Sequence, residues 1–512
     1  MASELPTVTS RERATLLVSV LIIAICALTY ELIIGTLSSY LLGNSVTQFS
    51  FTIGLFLFAM GLGALVSRVI QDHEIRWFIL VELIIGIFGG FSAAILYAVF
   101  TTAFVYYYIV MVTLIIIIGV CIGLEIPLLT RIVATQGELS KALADVLSFD
   151  YLGSLVASLA FPLVLLPALG VNQTAFLMGL FNIAVAAIIL RQFQPQLTPR
   201  SARSLWGIVV VFSGLMIAGF TASTSIFDFF EQQLYEDRII YREQTPYQRI
   251  VITRKGEDIR LFLDGNLQFS SRDEYRYHEI LVHPVMHIPR SREQVLVLGG
   301  GDGLVARELL KYPEVQKIVI VDIDPAITEL ARDYPLLREL NEGSLEDDRV
   351  ELINEDAFTF VRDHAEQYPV IIADLPDPNN ESLGKLYSQQ FFQMVAGCLT
   401  PDGVFITQAT SPYFAREAYW SIVHTLKASG FEVLPLRAYI PSFGEWGFVV
   451  GTLHKTPTLR LPESIALRFL TPDVLATATV FDPDIDEVDA DINTLDDPVV
   501  VRYYEAGWRE WD

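Results

Sequence analysis

Seven long apolar runs in the first 225 residues constrain the fold of this chain more than any other feature. They lie at 14–36, 48–69, 77–98, 102–123, 149–169, 171–190 and 205–225. Each run is close to the ~20 residues that an α-helix needs to cross the hydrocarbon core of a bilayer. The first half therefore predicts an α-helical transmembrane bundle of about seven spans, with the lipid bilayer as a partner. Tight boundaries near residues 100 and 170 leave the count open.

Charge is divided unevenly between the two halves. Nine Lys and Arg and ten Asp and Glu precede residue 226, so 26 of the 35 basic and 49 of the 59 acidic residues follow it. A nucleic acid partner needs a basic face for its phosphates, so the acidic second half argues against one. An acidic domain suits a cationic ligand instead.

The basic residues of the first half also predict an orientation. They precede the first run and recur in every second loop, whereas the loops between carry none. These residues are Arg11, Arg13, Arg68, Arg76, Arg131, Lys141, Arg191, Arg200 and Arg203. The positive-inside rule then places the N-terminus of an integral cell-membrane protein in the cytoplasm. An odd number of spans would place the acidic half outside.

Four acidic residues lie inside or at the edges of the apolar runs: Glu31, Glu82, Glu125 and Asp150. An ionised carboxylate at the bilayer centre costs ~2.5–3.5 kcal/mol, so such residues usually line an interior site. A cation-binding cavity is one interpretation. Capping or pairing at the membrane interface is the other, and the sequence leaves both open.

The second half alternates strand and helix patterns. QVLVLGGGDGLVARELLKY (294–312) and KIVIVDIDPAITELARDY (317–334) each begin as an apolar strand and continue as a helix. This alternation predicts an α/β, Rossmann-like domain of the methyltransferase type with a parallel, doubly wound sheet. Before it, alternating strands around the Asp264-Gly265 turn predict a small β-hairpin subdomain.

These patterns divide the chain into four regions. We predict a transmembrane helical domain at 1–225 and a β-strand subdomain with a linking helix at 226–290. The Rossmann-like domain follows at 291–455, and an acidic C-terminal extension at 456–512 completes the chain. Within that extension, the Asp-rich segment 482–497 is expected to be an exposed loop.

A glycine-rich turn follows the first strand of the α/β domain. Gly299 and Gly301 lack Cβ atoms, so a ligand can approach the backbone at the start of the helix. The turn departs from GxGxxG and contains Asp302, which would repel a pyrophosphate. Asp322 ends the second strand, where an acidic side chain holds ribose hydroxyls. An adenosyl sulfonium with a free ammonium group therefore fits better than a dinucleotide. Asp356, after the third strand, either bonds adenine or caps a helix.

The stretch IIADLPDP (371–378) ends a buried strand in two carboxylates, Asp374 and Asp377. Open α/β sheets bind ligands at the carboxyl ends of their strands. A carboxylate there can accept the proton of an attacking amine, while a second one anchors a distant ammonium group. The alternative is a turn role, since Asp-Pro is a common turn dipeptide.

Several motifs resemble the spermidine synthases, which are polyamine aminopropyltransferases. They are LDGNLQFSSRDEYRYHE, VLVLGGGDG, VDIDPAI, EDAF, ADLPDP and ITQATSP, in family order across roughly 240–450. The whole chain resembles the membrane-bound form, in which a multi-helix domain precedes the synthase. The resemblance implies transfer of an aminopropyl group from decarboxylated S-adenosylmethionine to putrescine, giving spermidine and methylthioadenosine.

The resemblance also implies residue roles. Asp374 would be the general base, and Asp377 would steer the amine acceptor. Tyr277 and His278 would line the amine groove. The residues implied for the donor are Gln248, Gln268, Gly299, Gly301, Asp302 (its amine), Asp322 (its ribose) and Asp356 (its adenine). The decarboxylated donor is a co-substrate, and neither a cofactor nor a metal is expected.

Departures from the family pattern lie in the amine-binding loop. Leu375-Pro376 replaces a small Ser or Thr, and NNESLGK replaces a Gly-Pro. Putrescine stays the expected acceptor, and these departures leave a longer or different amine open. The soluble relatives commonly dimerise, which leaves a homo-oligomer open for this chain.

Two other functions remain open on the sequence alone. One is an S-adenosylmethionine-dependent methyltransferase on the same fold, and the other is a polyamine transporter or sensor whose synthase-like domain only binds. His283 and His287 have i,i+4 spacing without a third ligand, which favours helix packing over zinc. The donor is a cytosolic metabolite, so we favour a cytoplasmic catalytic half, in conflict with seven spans.

Overall fold

The chain divides into two compact units, Met1–Glu236 and Asp237–Asp512. The computed structural model describes residues 10–43, 45–134 and 139–511. The first nine residues, on which the predicted cytoplasmic N-terminus falls, lie outside the described residues. Our predicted boundary at residue 225 lies within the last helix of the first unit, which continues to Leu234.

The described part of the first unit consists of helices joined by short connections. Its helices are α1 (Ser10–Leu42), α2 (Ser45–Val66), α3 (Glu74–Ala103), α4 (Tyr107–Val133), α5 (Leu139–Ala160), α6 (Leu166–Phe193) and α7 (Pro199–Leu234). Within the described residues, five continuous helical stretches are long and apolar enough to cross a membrane. Two of them, Glu74–Val133 and Ser140–Gln196, contain 60 and 57 residues, far more than the ~20 of one span.

Each of these two long stretches is broken near its middle. A 3₁₀ turn at Phe104–Tyr106 separates α3 from α4, which pack against each other. Gly170, with φ of 68° and ψ of 178°, interrupts α6 in a conformation that glycine adopts readily. The breaks lie at the two boundaries, near 100 and 170, where the sequence left the count of spans open. Seven spans therefore stay a prediction.

Glycines let helices of the first unit approach each other closely. A Cβ atom on Gly123 would lie 2.0 Å from the Met60 carbonyl oxygen, and one on Gly63 would lie 2.1 Å from that of Val120. Helices α2 and α4 are therefore in backbone contact, as small residues permit in apolar bundles.

The second unit begins with a four-stranded antiparallel sheet. Its strands are β1 (Arg238–Gln244), β2 (Arg249–Lys255), β3 (Asp258–Leu263) and β4 (Asn266–Ser270), in the order β1-β2-β3-β4. The turn between β3 and β4 uses positive φ angles at Asp264 and Gly265. The predicted hairpin subdomain is thus a meander of four strands.

A seven-stranded sheet forms the body of this unit. Its strands are β5 (Gln294–Gly299), β6 (Lys317–Asp322), β7 (Val350–Asn354), β8 (Tyr368–Asp374), β9 (Leu399–Gln408), β10 (Glu432–Ile440) and β11 (Gly444–Thr452). The order is β10-β11-β9-β8-β5-β6-β7. β5 to β9 are parallel, whereas β11 runs antiparallel to β9 and β10. The predicted Rossmann-like sheet is confirmed, and its order reverses at β5, where such folds bind ligands.

Helices cover both faces of this sheet. They are α8 (Glu274–Val282), α9 (Leu304–Leu309), α10 (Pro325–Asp333), α11 (Pro335–Leu340), α12 (Ala357–Asp363), α13 (Glu381–Gly384), α14 (Gln389–Gly397), α15 (Arg416–Ala428), α16 (Pro472–Thr477) and α17 (Val499–Arg509). Apolar residues at alternate positions along each strand belong to two separate cores, one on each face, as expected for a sheet buried on both faces.

The acidic C-terminal extension is docked on this domain. Trp420 Nε1 donates to the Ile485 carbonyl at 3.0 Å, and Ser421 Oγ donates to that of Asp491 at 2.7 Å. Asn493 is fully buried, and α17 packs against α15. Most of 482–497 is an exposed loop, as expected, but Ile485 and Asn493 are buried, because backbone carbonyls of an acidic segment can still accept hydrogen bonds from a helix face.

Candidate active site

Three parallel strands end at one edge of the sheet and bring the predicted residues together. Gly299, at the end of β5, is in register with Asp374 at the end of β8. Asp322 ends the neighbouring strand β6 on the other side of β5. The two carboxylates therefore flank the glycine-rich turn at the point where strand order reverses.

The turn needs glycine because it passes close to both carboxylates. Gly299 and Gly300 have φ angles of 80° and 69°, which disfavour residues with side chains. A Cβ atom on Gly299 would lie 2.0 Å from the Asp374 carbonyl oxygen, and one on Gly301 would lie 2.5 Å from Asp322 Oδ2. A Cβ atom on Gly300 would lie 3.5 Å from Asp374 Oδ2, so this oxygen faces the turn.

Asp322 is held by backbone donors. The Gly301 amide donates to its Oδ2 and the Asp324 amide to its Oδ1, each at 3.0 Å. Burial raises the pKa of Asp322 to about 6, although both backbone hydrogen bonds oppose that rise. The carboxylate thus has a fixed orientation, and no lysine or arginine of the described residues pairs with it.

Gln248 approaches this region through Asp324 rather than Asp322. Its Nε2 donates to Asp324 Oδ2 at 2.9 Å, and the same oxygen accepts from Thr245 Oγ1 at 2.8 Å. Asp324 also caps α10 through the Ala326 amide. Gln268 makes a local contact, donating to the Asn266 carbonyl at 3.2 Å, so the structure does not join it to the other predicted donor residues.

Asp356 caps a helix, which is one of the two roles that the sequence left open for it. Its Oδ1 accepts from the amides of Phe358 and Thr359, at 2.8 and 3.1 Å. Its Oδ2 pairs with Lys385 Nζ at 2.6 Å. Burial acts to raise the pKa of Asp356, but Lys385 and the backbone donors outweigh it and lower the pKa. Capping leaves the adenine role a prediction.

Helix α8 supplies a buried histidine with its own carboxylate. His278 Nδ1 lies 2.9 Å from Glu274 Oε2, and Arg307 Nη2 pairs with the same oxygen at 2.8 Å. Burial acts to lower the pKa of His278. The hydrogen bond and charge of Glu274, with the charges of Asp302 and Asp374, outweigh burial and raise this pKa to about 9. His278 is therefore an imidazolium at neutral pH.

This histidine also lies close to two of the predicted site aspartates. Nitrogen and oxygen atoms of His278, Asp302 and Asp374 lie within 4.8 Å of one another. Tyr277 donates to Asp374 Oδ1 at 2.7 Å. Burial raises the pKa of Asp374, while His278 and Tyr277 act to lower it. Burial also raises the pKa of Asp302, to about 6.

This cluster has the spacing of a metal site, but its chemistry favours an organic cation. A metal needs a neutral imidazole as ligand. A pKa of about 9 keeps a proton on both ring nitrogens of His278 near pH 7, so the ring has no free lone pair to offer a metal. The charged ring instead helps to keep Asp302 and Asp374 ionised.

Asp377 bonds side chains from distant parts of the fold. Gln408 Nε2 donates to its Oδ1 at 3.2 Å, and Thr410 Oγ1 donates to its Oδ2 at 3.3 Å. The hydroxyl of Tyr504, on α17, donates to the same carboxylate. Burial raises the pKa of Asp377 to about 6 against these three donors. Its side chain thus does more than shape a turn.

Four further residues position this site and were not predicted from the sequence: Glu274, Arg307, Gln408 and Tyr504. The i,i+4 spacing of Glu274 and His278 was a usable signal, because such residues face each other on a helix. Gln408 ends strand β9 beside β8, a position that only the sheet order reveals. No local pattern connects Tyr504 to a loop more than a hundred residues earlier.

The site keeps a surplus of negative charge. Basic side chains pair with Glu274 and Asp356. Within the described parts of the chain, lysine and arginine form no such pair with the site aspartates Asp302, Asp322, Asp374 and Asp377. The single charge of His278 offsets only part of this surplus, and buried carboxylates with too few cationic partners are costly, so they favour a ligand that brings positive charge.

Comparison with known proteins agrees with this chemistry. The spermine/spermidine synthase domain matches residues 274–461. A protein of Leptospira interrogans named polyamine aminopropyltransferase is 44% identical over 500 residues, which cover 97% of this chain and 99% of that protein. The chain belongs to the polyamine aminopropyltransferase family. A Ralstonia nicotianae protein named polyamine aminopropyltransferase 2 is 43% identical over 510 residues, covering 98% and 99%.

Two solved structures also match. The crystal structure of spermidine synthase in complex with the transition state analogue AdoDATO is 26% identical, with a TM-score of 0.45, and covers 48% of this chain and 86% of that one. Spermidine synthase from Thermotoga maritima is 26% identical, with a TM-score of 0.44, over 48% and 85%.

Family membership confirms two predictions. The chain is an aminopropyltransferase enzyme, and its α/β domain is a spermine/spermidine synthase domain. The relatives match along nearly their whole length, so the helical unit is shared with them. The methyltransferase alternative finds no support. Acceptor, residue roles and location remain predictions.

Proposed function

We propose that the second unit transfers the aminopropyl group of decarboxylated S-adenosylmethionine to putrescine, giving spermidine and methylthioadenosine. One observation carries the proposal. Asp374 lies beside the glycine-rich turn, bonded by Tyr277 and close to His278, in a set of aspartates that no lysine or arginine of the described residues pairs with. Such a set suits two cationic substrates.

The donor would lie along the turn between β5 and β6. Gly299 and Gly301 leave room for the nucleoside against the backbone. Asp322 accepts the ribose hydroxyls in this proposal, and Asp302 receives the ammonium group of the aminopropyl chain. Gln248, Gln268 and Asp356 complete the nucleoside pocket. Asp356 would then reach adenine while it caps α12.

The reaction needs a neutral nitrogen on the acceptor. An alkylammonium has a pKa of ~10.4, so removal of its proton at pH 7 costs about 4–5 kcal/mol. In our mechanism, that proton passes to a carboxylate oxygen of Asp374. The nitrogen attacks the aminopropyl carbon that is bonded to the sulfonium sulfur. A C–N bond forms, and the bond between this carbon and sulfur breaks with its electron pair on sulfur. The leaving group is neutral methylthioadenosine.

The sulfonium is already an activated leaving group, so the proposed mechanism includes neither a cofactor nor a metal. Asp374 Oδ1 accepts from Tyr277, which leaves Oδ2, the atom that faces the turn, for the proton. A general base contributes about 100- to 10,000-fold to such reactions.

The distal ammonium of putrescine would bind Asp377. Tyr277 and His278 would border the groove between the two carboxylates. The tail residue Tyr504 fixes the orientation of Asp377, and Leu375-Pro376 narrows the choice of amine. We propose putrescine because one base and one anchor match a diamine, although a longer amine would use the same two groups.

Methylthioadenosine release tests this function directly. Purified full-length protein is mixed with decarboxylated S-adenosylmethionine and putrescine, cadaverine or spermidine in separate reactions. We expect the highest kcat/KM with putrescine. Methylthioadenosine formation with another amine alone would overturn the acceptor assignment, and a product methylated at nitrogen would overturn the transfer chemistry.

We propose further that the first unit crosses the cell membrane with both the N-terminus and the catalytic unit in the cytoplasm, which requires that one of the seven apolar runs is re-entrant or does not cross. The two broken stretches of 60 and 57 residues support a hairpin at each break. Seven crossings and a cytoplasmic N-terminus conflict with a cytoplasmic catalytic unit, and the supply of donor leads us to retain the latter. An alkaline phosphatase fusion after Asp512 tests this, because phosphatase activity would place the C-terminus outside.

Homo-oligomer formation is a separate proposal. It rests on the soluble members of the family, which commonly dimerise. Light scattering on the detergent-solubilised protein, corrected for bound detergent, would give the mass of the assembly. A mass of one chain at working concentrations would contradict it.

A further inference from the structure

The first unit contains a buried carboxyl pair that aminopropyl transfer does not use. Glu82, on α3, is fully buried, and Glu125, on α4, is 3% exposed. The two side chains interact directly. Acidic residues inside apolar helices are costly and normally mark a site.

Side chains from two further helices hold one of these carboxyl groups. Asn182 Nδ2, on α6, donates to Glu82 Oε2 at 2.8 Å. The Tyr30 hydroxyl, on α1, donates to Asn182 Oδ1 at 3.0 Å. The ring of Tyr30 lies against Gly89, where a Cβ atom would come within 2.5 Å of the ring. Four helices thus converge on the pair in a packed, specific arrangement.

The arrangement leaves acceptors without donors. The two carboxyl groups hydrogen-bond each other, but among the residues that the structure describes no N–H or hydroxyl group donates to Glu82 Oε1 or Glu125 Oε1, and both oxygens are buried. Pro127, inside α4, lacks an N–H group, so the Gly123 carbonyl loses its usual helical donor close to Glu125. Each unsatisfied buried acceptor costs free energy, and more so when the group is charged.

The missing group is therefore a donor that carries positive charge. An alkylammonium supplies three N–H donors and no acceptor. Its charge offsets that of an ionised glutamate, and its methylene chain suits apolar helix faces. Asp150, half-buried on α5, interacts electrostatically with Glu125 and offers a carboxylate for a second ammonium group of the same molecule.

We propose that the first unit binds a protonated alkyl polyamine at Glu82 and Glu125. The site is separate from the catalytic aspartates. Only the choice of a polyamine rests on the proposed function, because the substrate and the product of that reaction are alkylammonium ions that this enzyme would already encounter. The site gives the helical unit a part in polyamine uptake, release or sensing.

Equilibrium binding tests the proposal on the full-length protein in detergent. Radiolabelled putrescine and spermidine are titrated separately, without donor, so that no turnover occurs. We expect two classes of site for at least one amine. Glu82→Gln and Glu125→Gln should each weaken one class at least about tenfold, as loss of a charge-assisted hydrogen bond does. Methylthioadenosine formation should stay unchanged.

Glu74→Gln is the matched control, because it removes a carboxylate from the first turn of the same helix as Glu82. It should retain both classes. The proposal would be overturned if an active wild-type protein showed only one class of site. It would also be overturned if both glutamine variants bound the amines as the wild-type protein does. If two classes of amine site are found but methylthioadenosine never forms, the proposed catalytic function is refuted and the proposed binding site at Glu82 and Glu125 is retained.

A second measurement needs no variant. Dicyclohexylcarbodiimide modifies carboxyl groups in apolar surroundings, and mass spectrometry can locate the product at Glu82 or Glu125. Saturating spermidine or putrescine should slow this labelling at least about tenfold if the amine occupies the pair. Labelling that responds to pH but to neither amine would show a site for protons alone and would overturn the proposal.

Discussion

In the second unit, buried carboxylates lie at the ends of parallel strands, where backbone N–H groups are free to bind them. In the first unit, Glu82 and Glu125 lie inside helices, where those groups are already used by the helix itself. Asp322 accepts from two backbone amides, and Asp302 from the Leu304 amide at 2.9 Å. Glu82 depends on the side chain of Asn182.

The difference shows how each fold supports buried negative charge. A strand end with a tight turn provides fixed dipoles, so several acids can share one site and remain available for chemistry. A helix bundle must provide side-chain donors from other helices, and it leaves oxygens unsatisfied. The first arrangement suits a base with a tuned pKa, and the second suits exchange of a cationic ligand.

The sharpest test of the catalytic half of this comparison is Asp374→Asn. The amide cannot accept the proton, so we expect kcat to fall about 100- to 10,000-fold while donor binding stays nearly unchanged. Methylthioadenosine formation and equilibrium binding of the donor measure the two effects. Asp348→Asn, at an exposed position, is the control. Survival of activity in Asp374→Asn would refute the base assignment.

Gly301→Ala tests the close approach of backbone and carboxylate. The added Cβ would lie 2.5 Å from Asp322 Oδ2 and displace it. We expect the KM for the donor to rise about 10- to 100-fold, equivalent to loss of one or two hydrogen bonds to a charged group. Gly397→Ala, where a Cβ meets open space, should behave as wild type. An unchanged donor KM would remove Asp322 from the donor pocket.

Glu274→Gln tests whether the imidazolium keeps the site acids ionised. Without the glutamate, the pKa of His278 falls from about 9, so the ring loses its charge near neutral pH and the pKa of Asp374 rises. The acid limb of the pH profile of kcat/KM should move up by about one pH unit, roughly tenfold in rate near pH 6.

The control for this variant is Glu329→Gln, on the exposed side of α10. Arg307 retains Glu308 at 3.1 Å in Glu274→Gln, so the buried guanidinium keeps a partner and the fold should persist. An acid limb that stays in place in a folded Glu274→Gln protein would show that His278 plays no electrostatic part.

Tyr504→Phe tests the contribution of the C-terminal extension. It removes one donor to Asp377, so we expect the KM for the amine to rise about 3- to 10-fold, with the donor KM unchanged. The adjacent Tyr503 bonds Asp491 at the surface, and Tyr503→Phe should leave both constants unaltered. Equal effects of the two substitutions would mean that the tail acts only through packing.

The smallest effect concerns the stability of the ligand-free protein. The pKa values of Asp302, Asp322 and Asp377 are raised to about 6, above those of the unfolded chain. The folded state therefore takes up more protons, and stability should rise as pH falls from 7 to 5.5, by about 1 kcal/mol per group. Thermal unfolding followed by tryptophan fluorescence measures this. A Tm that falls over this interval would contradict it.

Much of the fold was predictable because its signals are local. Apolar runs marked the helices, and the alternation of strands and helices marked the Rossmann-like sheet. Strand ends marked Gly299, Asp322 and Asp374, since parallel strands align their carboxyl ends. Less predictable was the docked tail, because Asp491 and Asn493 are anchored by backbone and buried contacts that an acidic composition hides.

The amino-acid sequence by itself determined the apolar first half, the acidic second half and the residue types that handle a cationic amine. Periodicity and charge are properties of neighbouring residues, so they need no folded chain. The tertiary structure alone decided that Glu274 charges His278, that Tyr504 reaches Asp377 and that four helices enclose Glu82. These outcomes depend on burial and on contacts between distant segments, which raise or lower the cost of each charge.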